Sequence, residues 1–348
     1  MKILYGVQAT GNGHITRARA MQPALARRGI EVDYLFTGRA REKLFDMDAF
    51  GDFEVRRGLT FAIERGSVNL PKTLLQANVF ELMRDIKALD LSSYDLVLTD
   101  FEPVAAWAAR RAGKTCIGIG HQYAFPFDIP KADDSFGARQ IMKWFAPASL
   151  SLGAHWHHFN SPILPPLMHP SIETTETDPE QVLVYLPFED AADIMELLEP
   201  ITDYRFHVFT DALPPGVLDH IEIHPFGRDN FQHKLRVCES VLCNAGFELA
   251  SEALQLGRRI LVKPMHGQME QASNAKALQE LGYGSAAQHL NTELILQWLL
   301  HAPRVQVRYP DVADAVAQWI ASGDWSATED LVEGLWKQVD FSGSVKAI

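Results

Sequence analysis

Residues 240–275 read SVLCNAGFELASEALQLGRRILVKPMHGQMEQASNA. An apolar run ends in the turn Asn244-Ala245-Gly246, and a helical stretch from Phe247 stops at Gly257. RRILVKP (258–264) is a second apolar run, and a second helical stretch from Gln268 stops at Gly282. Leu249, Ala253 and Leu256 fall on one helical face and read as core. Strand–helix–strand–helix with short links is the pattern of a parallel sheet covered by helices on both faces.

Working outward, the same alternation fills the rest of the chain. Upstream, QVLVYLP (181–187) and YRFHVFT (204–210) are strand-like, with ADIMELLEPI (192–201) helical between them. The first third begins with a strand over 2–7 (KILYGV), a glycine-containing loop TGNGH (10–14), a helix that stops at Gly29, and a strand over 30–36. A helix over 72–89, a strand over 95–100 (DLVLTD), a helix over 103–113 and a strand over 115–120 follow. Between the two alternating halves lies a proline-rich, helix-poor stretch, 160–180, with four prolines between 162 and 170, which suits a linker. The expectation is an α/β protein of two Rossmann-like domains facing a cleft. The first spans 1–162, the second 163–324, and a tail helix within 325–348 carries Trp325 and Trp336 back to the first domain. A length of 348 residues fits two domains, each large enough for a core.

Composition narrows the partners. Lys and Arg number 32 against 44 Asp and Glu, a net charge of −12, which argues against nucleic acid held by bulk charge but permits a local basic pocket. No apolar run is long enough for a membrane span, although a peripheral membrane contact is compatible with the chain. Three cysteines (Cys116, Cys238, Cys243) in no CxxC pair speak against a disulfide framework and fit a reducing cytoplasm.

Ligands of open parallel sheets sit at the carboxyl ends of strands, so the residues just after strands carry the chemistry. In the first loop, Gly11 and Gly13 allow a close backbone approach, while Thr16 breaks a G-x-G-x-x-G fingerprint. His14 stands at a helix N-terminus, which disfavours imidazolium and suits a general base; the alternative is a plain helix cap. Asp100 and Glu102 end the 95–100 strand and, if extended, share a side, where either could orient His14; otherwise they are solvated loop acids. His121 and Gln122 close the next strand. In the second half, Asn244, Gly246 and Phe247 open a helix whose N-terminus is a ready anion site. Glu252 is placed to accept hydrogen bonds from a diol. His266, Gln268, Glu270, Gln271 and Asn274 gather polar groups at the following strand end, as sugar hydroxyls require; a surface helix is the alternative. Asp46-Met47-Asp48 reads as surface charge, and His155, His157 and His158 as alternating residues of a strand rather than a metal site.

These residues together resemble a GT-B glycosyltransferase of the branch that contains the lipid-linked peptidoglycan GlcNAc transferase (MurG type) and the UDP-glucuronosyl, plant and antibiotic glycosyltransferases. The DFEP (100–103) and HQ (121–122) segments are similar to a bacterial and archaeal subgroup near MurG. The resemblance implies His14 as base with Asp100 as its partner, Glu252 six residues after Gly246 on the ribose, Glu270-Gln271 on the donor sugar, and Phe226 beside the nucleobase. It implies an inverting, metal-independent transfer from a nucleotide-diphosphate sugar, UDP-linked by analogy, to an unnamed acceptor hydroxyl, with no cofactor. Retaining GT-B enzymes often carry two Glu flanking seven-residue spacings, whereas residues 256 and 260, eight after Glu248 and Glu252, are Leu and Ile. Leu249 replaces the Ser or Thr often found near the diphosphate, and Glu248 adds a charge there. A UDP-GlcNAc 2-epimerase-like enzyme and a non-catalytic nucleotide-sugar-binding protein share the fold and stay open as alternatives. The oligomeric state is not legible.

Overall fold

Ile3, Tyr5 and Val7 face one apolar cluster and Leu4 faces another, and all four are buried, so both faces of the first strand are covered. That two-sided burial is what a continuous apolar strand requires, and it recurs along the sheet. The computed structural model describes residues 1–59, 63–64, 67–68, 78–132, 135–169 and 176–343.

In the first half the elements are β1 (Lys2–Gln8), α1 (Asn12–Arg27), β2 (Glu31–Thr37), β3 (Phe53–Arg56), a short hairpin of β4 (Ile63–Glu64) and β5 (Ser67–Val68), α2 (Val79–Ala88), β6 (Leu96–Asp100), α3 (Pro103–Ala112), β7 (Cys116–Gly120), α4 (Phe136–Trp144) and β8 (Leu150–Gly153). Six strands make one sheet in the order β3-β2-β1-β6-β7-β8, parallel throughout. The helix expected over 72–89 is described from Asn78, which caps α2 by accepting from Glu81 N; 72–77 lie outside the described residues.

The second half repeats the plan with β9 (Asp178–Tyr185), α5 (Ala191–Leu198), β10 (Arg205–Phe209), β11 (Gly216–Leu218), β12 (Ile221–His224), α6 (Arg228–Val237), β13 (Cys238–Asn244), α7 (Phe247–Leu256), β14 (Arg259–Lys263), α8 (Met269–Leu281), β15 (Ser285–Ala286) and α9 (Thr292–His301). Its seven strands run β11-β12-β10-β9-β13-β14-β15, with only the edge strand β11 antiparallel. Glycines at 257 and 282 end α7 and α8 in left-handed conformation, as the stop signals predict.

The last part holds β16 (Gln306–Arg308), α10 (Val312–Ser322), α11 (Thr328–Trp336) and β17 (Asp340–Gly343). The helix that lies on α1 is α10, earlier than the expected tail. Asp314 accepts from Arg27 Nη2 at 2.8 Å and from Arg28 Nη2 at 2.6 Å. The later α11 packs where the first half meets the connecting segment: the Trp336 ring lies 5.4 Å from that of His158, and its Nε1 donates to Ile163 O at 2.5 Å. That segment is packed rather than free: Ile163, Leu164 and Leu167 are fully buried, and Leu164 bridges Ala154. One apolar cluster runs through both sheets and α10, so the two halves share a core. Among the described residues no helix is long and apolar enough to cross a membrane.

Candidate functional site

The carboxyl ends of the two sheets face each other across a cavity of about 570 Å³. On the first wall, β1 delivers the chain through Gly11, the N-cap of α1, so that His14 falls in the first turn with its ring on the cavity and 14% exposed. Behind it β6 ends at Asp100, which is fully buried. His14 Nδ1 lies 2.7 Å from Asp100 Oδ1. Arg17 Nη2 is also 2.9 Å from Nδ1 but donates to Asp100 Oδ1 at 2.7 Å; with that carboxylate oxygen as the nearer partner of Nδ1, the proton is assigned to Nδ1 and the lone pair to Nε2.

Arg17, one turn along the same face of α1, completes this wall. Its Nε donates to Asp100 Oδ2 at 2.8 Å and its Nη2 to Asp100 Oδ1 at 2.7 Å, a bidentate pair. Burial would raise the Asp100 carboxyl, but Arg17 and His14 hold it below the ordinary carboxylate range. Gly120 makes room: its φ is 143°, and a Cβ there would lie 2.9 Å from Asp100 Oδ1. The sequence reading missed Arg17; the available signal was its i, i+3 spacing from His14.

Arg17 also reaches the second wall, where its Nη1 donates to Glu248 Oε1. Glu248 therefore turns toward α1, and Gly13 lets it come close, since a Cβ on Gly13 would be 3.1 Å from Glu248 Cγ. Burial pushes the Glu248 carboxyl up to about 8, with Arg17 pulling against it. Gly246 is the N-cap of α7 and provides no side-chain cap, so the first turn offers backbone N–H groups to the cavity. Glu252, one turn on, accepts from Gln232 Nε2 at 3.2 Å, and burial raises it to about 7. Three buried oxygens on this wall have no hydrogen-bond partner: Asn244 Oδ1, Glu248 Oε2 and Glu252 Oε1.

Phe226, Phe247, Gln268, Glu270 and Gln271 also line the cavity. Phe226 meets Tyr185 edge-on at 5.8 Å. Gln268 caps α8 by accepting from Gln271 N at 2.6 Å, while Gln271 Oε1 accepts from Met265 N at 2.9 Å. Glu270 accepts from Gln122 Nε2 at 3.0 Å, a bond that crosses the cleft.

Several expected site residues lie elsewhere. Phe101 has φ 52°, which breaks the extended run, so Glu102 does not share a side with Asp100. It is fully buried, with its carboxylate accepting from Val104 N at 2.7 Å, Ala105 N at 2.6 Å and Thr37 Oγ1 at 3.0 Å. It is the N-cap of α3, outside the cavity lining. His121 and Asn274 are also buried away from the lining. They bond to each other at 2.7 Å across the two halves, and the His121 ring stacks on Phe247 at 4.1 Å. Burial lowers the basicity of His121, against the pull of Glu270. His266 is exposed and outside the cavity lining, next to Gly267 (φ 74°). Asp46 is not idle surface charge, because its Oδ2 accepts from Arg228 N of the second half at 2.9 Å. His155, His157 and His158 follow β8 in a loop rather than a strand, each Nδ1 accepting a local backbone N–H.

A cleft with an imidazole–carboxylate pair on one wall and an uncapped helix N-terminus on the other has relatives of known structure. SnogD of Streptomyces nogalater, a glycosyltransferase, is 17% identical and aligns with a TM-score of 0.55 over 97% of this chain and 99% of its own. MurG of Acinetobacter baumannii is 18% identical, with a TM-score of 0.54 over 97% and 99%. The glycosyltransferase VinC, solved in complex with DTDP, is 13% identical, with a TM-score of 0.55 over 97% and 99%. At these identities the likeness is one of fold, and that fold is GT-B. No curated protein matches the sequence. The family described as glycosyl transferase family 1 matches residues 1–303. The chain is a glycosyltransferase and belongs to that family.

Proposed function

We propose that the protein moves a sugar from a nucleoside diphosphate sugar, UDP-linked in our reading, to an acceptor hydroxyl, with inversion at the anomeric carbon and without a metal ion. The observation that carries this is the 2.7 Å contact of His14 Nδ1 with Asp100, on a ring that lines the cavity. It supports His14 Nε2 as the general base. As the acceptor oxygen bonds to the anomeric carbon, its proton passes to Nε2. The bond to the phosphate oxygen breaks, and its electron pair leaves with the diphosphate. N–H groups of the α7 first turn and its dipole favour that leaving charge. Glu252 accepts from the ribose, Glu270 and Gln271 hold the sugar, and Asp100 and Arg17 position the base without touching substrate.

In this reading residues 1–162 serve the acceptor and 163–324 the donor. Phe101, Ile141 and Met142 line the first-half side of the cavity, which suits an acceptor with an apolar body next to its hydroxyl. Three buried, unpaired thiols suit a reducing compartment.

The test pairs nucleotide binding with turnover. Thermal shifts with UDP-, dTDP- and GDP-sugars should single out one nucleotide, worth about 2.7 kcal/mol at a hundred times its Kd. His14→Ala should keep that shift and lose roughly 10²–10⁴-fold in transfer, or in slow donor hydrolysis where water replaces the acceptor. Undiminished turnover in His14→Ala, or no response to any nucleotide, would overturn the reading.

A further inference from the structure

Behind the helix that lines the donor side of the cleft lies a second cluster the transfer reaction does not use. His207 on β10 and Glu222 and His224 on β12 converge at the face of the sheet under α6. His207 Nδ1 is 3.2 Å from His224 Nε2 and 3.0 Å from Glu222 Oε2, and His224 Nε2 is 3.6 Å from the same oxygen. Ligand atoms about 2.0–2.2 Å from a tetrahedral Zn²⁺ are separated by about 3.3–3.5 Å.

The surroundings fix how these atoms are protonated. Gln181 Nε2 donates to Asp178 Oδ2 at 2.8 Å, so the amide oxygen is the atom turned to His207 Nε2, at 3.1 Å. The nearer Gln181 oxygen, set against Lys234 Nζ at 3.5 Å from the same atom, favours the proton on Nε2 and leaves Nδ1 as a lone pair. That lone pair faces a carboxylate oxygen at 3.0 Å, a contact made favourable only by a shared cation or proton. A shared proton would make His207 an imidazolium at 1% exposure. Burying that charge beside the Lys234 ammonium, whose Nζ is 3.5 Å from Nε2, is unfavourable. Asn230 Nδ2 lies 3.1 Å from His224 Nδ1; exchanging the oxygen and nitrogen of that amide would turn an acceptor to Nδ1 and leave Nε2 as the second lone pair. Lys234 Nζ is 3.5 Å from Glu222 Oε2 and occupies the edge of the cluster as a competing cation.

We propose that His207 Nδ1, His224 Nε2 and Glu222 Oε2 bind a divalent transition metal ion of the Zn²⁺ class, with water in the fourth position on the side of the partly exposed Glu222. Two imidazoles and one carboxylate, without thiolate, match the ligand preference of Zn²⁺ and Co²⁺. None of the three residues lines the cavity, so the ion is structural. It clips β10 to β12 behind α6, whose opposite face carries Arg228, Gln232 and Arg236 to the cleft. The chemistry of transfer stays metal-free.

The test uses the full chain, stripped with a chelator and dialysed. One equivalent of Zn²⁺ should raise the melting temperature by about 5 °C once it is well above its Kd. Co²⁺ should give the strong visible absorption of a four-coordinate site, and Zn²⁺ should bleach it. Glu222→Gln and His224→Gln should weaken binding at least tenfold, and Lys234→Met should tighten it. No shift and no cobalt spectrum would overturn the proposal, as would equal binding by the wild type and by Glu222→Gln and His224→Gln, which would put the ion elsewhere. Should those two fail to fold, Lys234→Met decides alone, and unchanged or weaker binding contradicts the site.

Discussion

The two walls of the cleft are finished to different degrees. On the first, both oxygens of Asp100 are engaged, by His14 and by the Arg17 fork, so the His14 ring is held, and Gln122 Oε1 and Arg19 Nε are the buried atoms of lining residues left without a partner. On the second, Asn244 Oδ1, Glu248 Oε2 and Glu252 Oε1 are buried without partners, and α7 has no side-chain cap. Buried polar atoms left unpaired cost free energy, so such a surface is retained where a ligand completes it. In the proposed reaction the His14–Asp100–Arg17 group is pre-organised, and the carboxylate and amide oxygens around α7 are left for the donor to satisfy.

The largest effect expected from breaking this contrast comes from Arg17→Met. It strips a buried carboxylate of its cation and should destabilise the protein by roughly 3–5 kcal/mol in urea unfolding. An unchanged midpoint would mean that the first wall is not held as described. Next, Glu252→Ala should weaken donor binding by about 10–100-fold in calorimetry, as loss of a charged hydrogen bond of about 1.5–3 kcal/mol requires, with little change in the apoprotein. Equal donor affinity would remove Glu252 from the second wall's work.

A third effect concerns pH. Glu248 and Glu252 are raised to about 8 and about 7, above the ordinary 4.5, so the folded chain keeps protons that the unfolded chain has released. The stability they contribute is whole below about pH 4.5 and declines as pH rises toward 7–8. Glu248→Gln should flatten that decline between pH 5 and 8 without abolishing it, because Glu252 and the buried cap Glu102, also near 7, remain. Identical slopes in urea titrations would contradict the assignment.

Much of this was legible from alternation and punctuation. Gly257 and Gly282 end their helices because glycine accepts the left-handed conformation, and the apolar runs became strands because both faces are covered. The His14–Asp100 pair was legible because the carboxyl ends of parallel strands gather at one edge. What periodicity cannot carry is a single dihedral or a contact between distant segments. The positive φ of Phe101 separated Glu102 from Asp100 and made it a helix cap, a role hinted at by the proline that follows it. Arg17 escaped notice because its partners, Asp100 and Glu248, lie 83 and 231 residues away. His121 and Asn274 stood at the right strand ends but meet each other rather than the cavity.

The central claim is that Asp100 acts only through the His14 ring. Turnover in His14→Ala, Asp100→Asn and the double variant, each checked for fold by thermal melting, tests it most directly. The account predicts a loss of roughly 10²–10⁴-fold for His14→Ala and no further loss in the double variant, since residues that work as a unit are not additive. Losses that multiply in the double variant would contradict it.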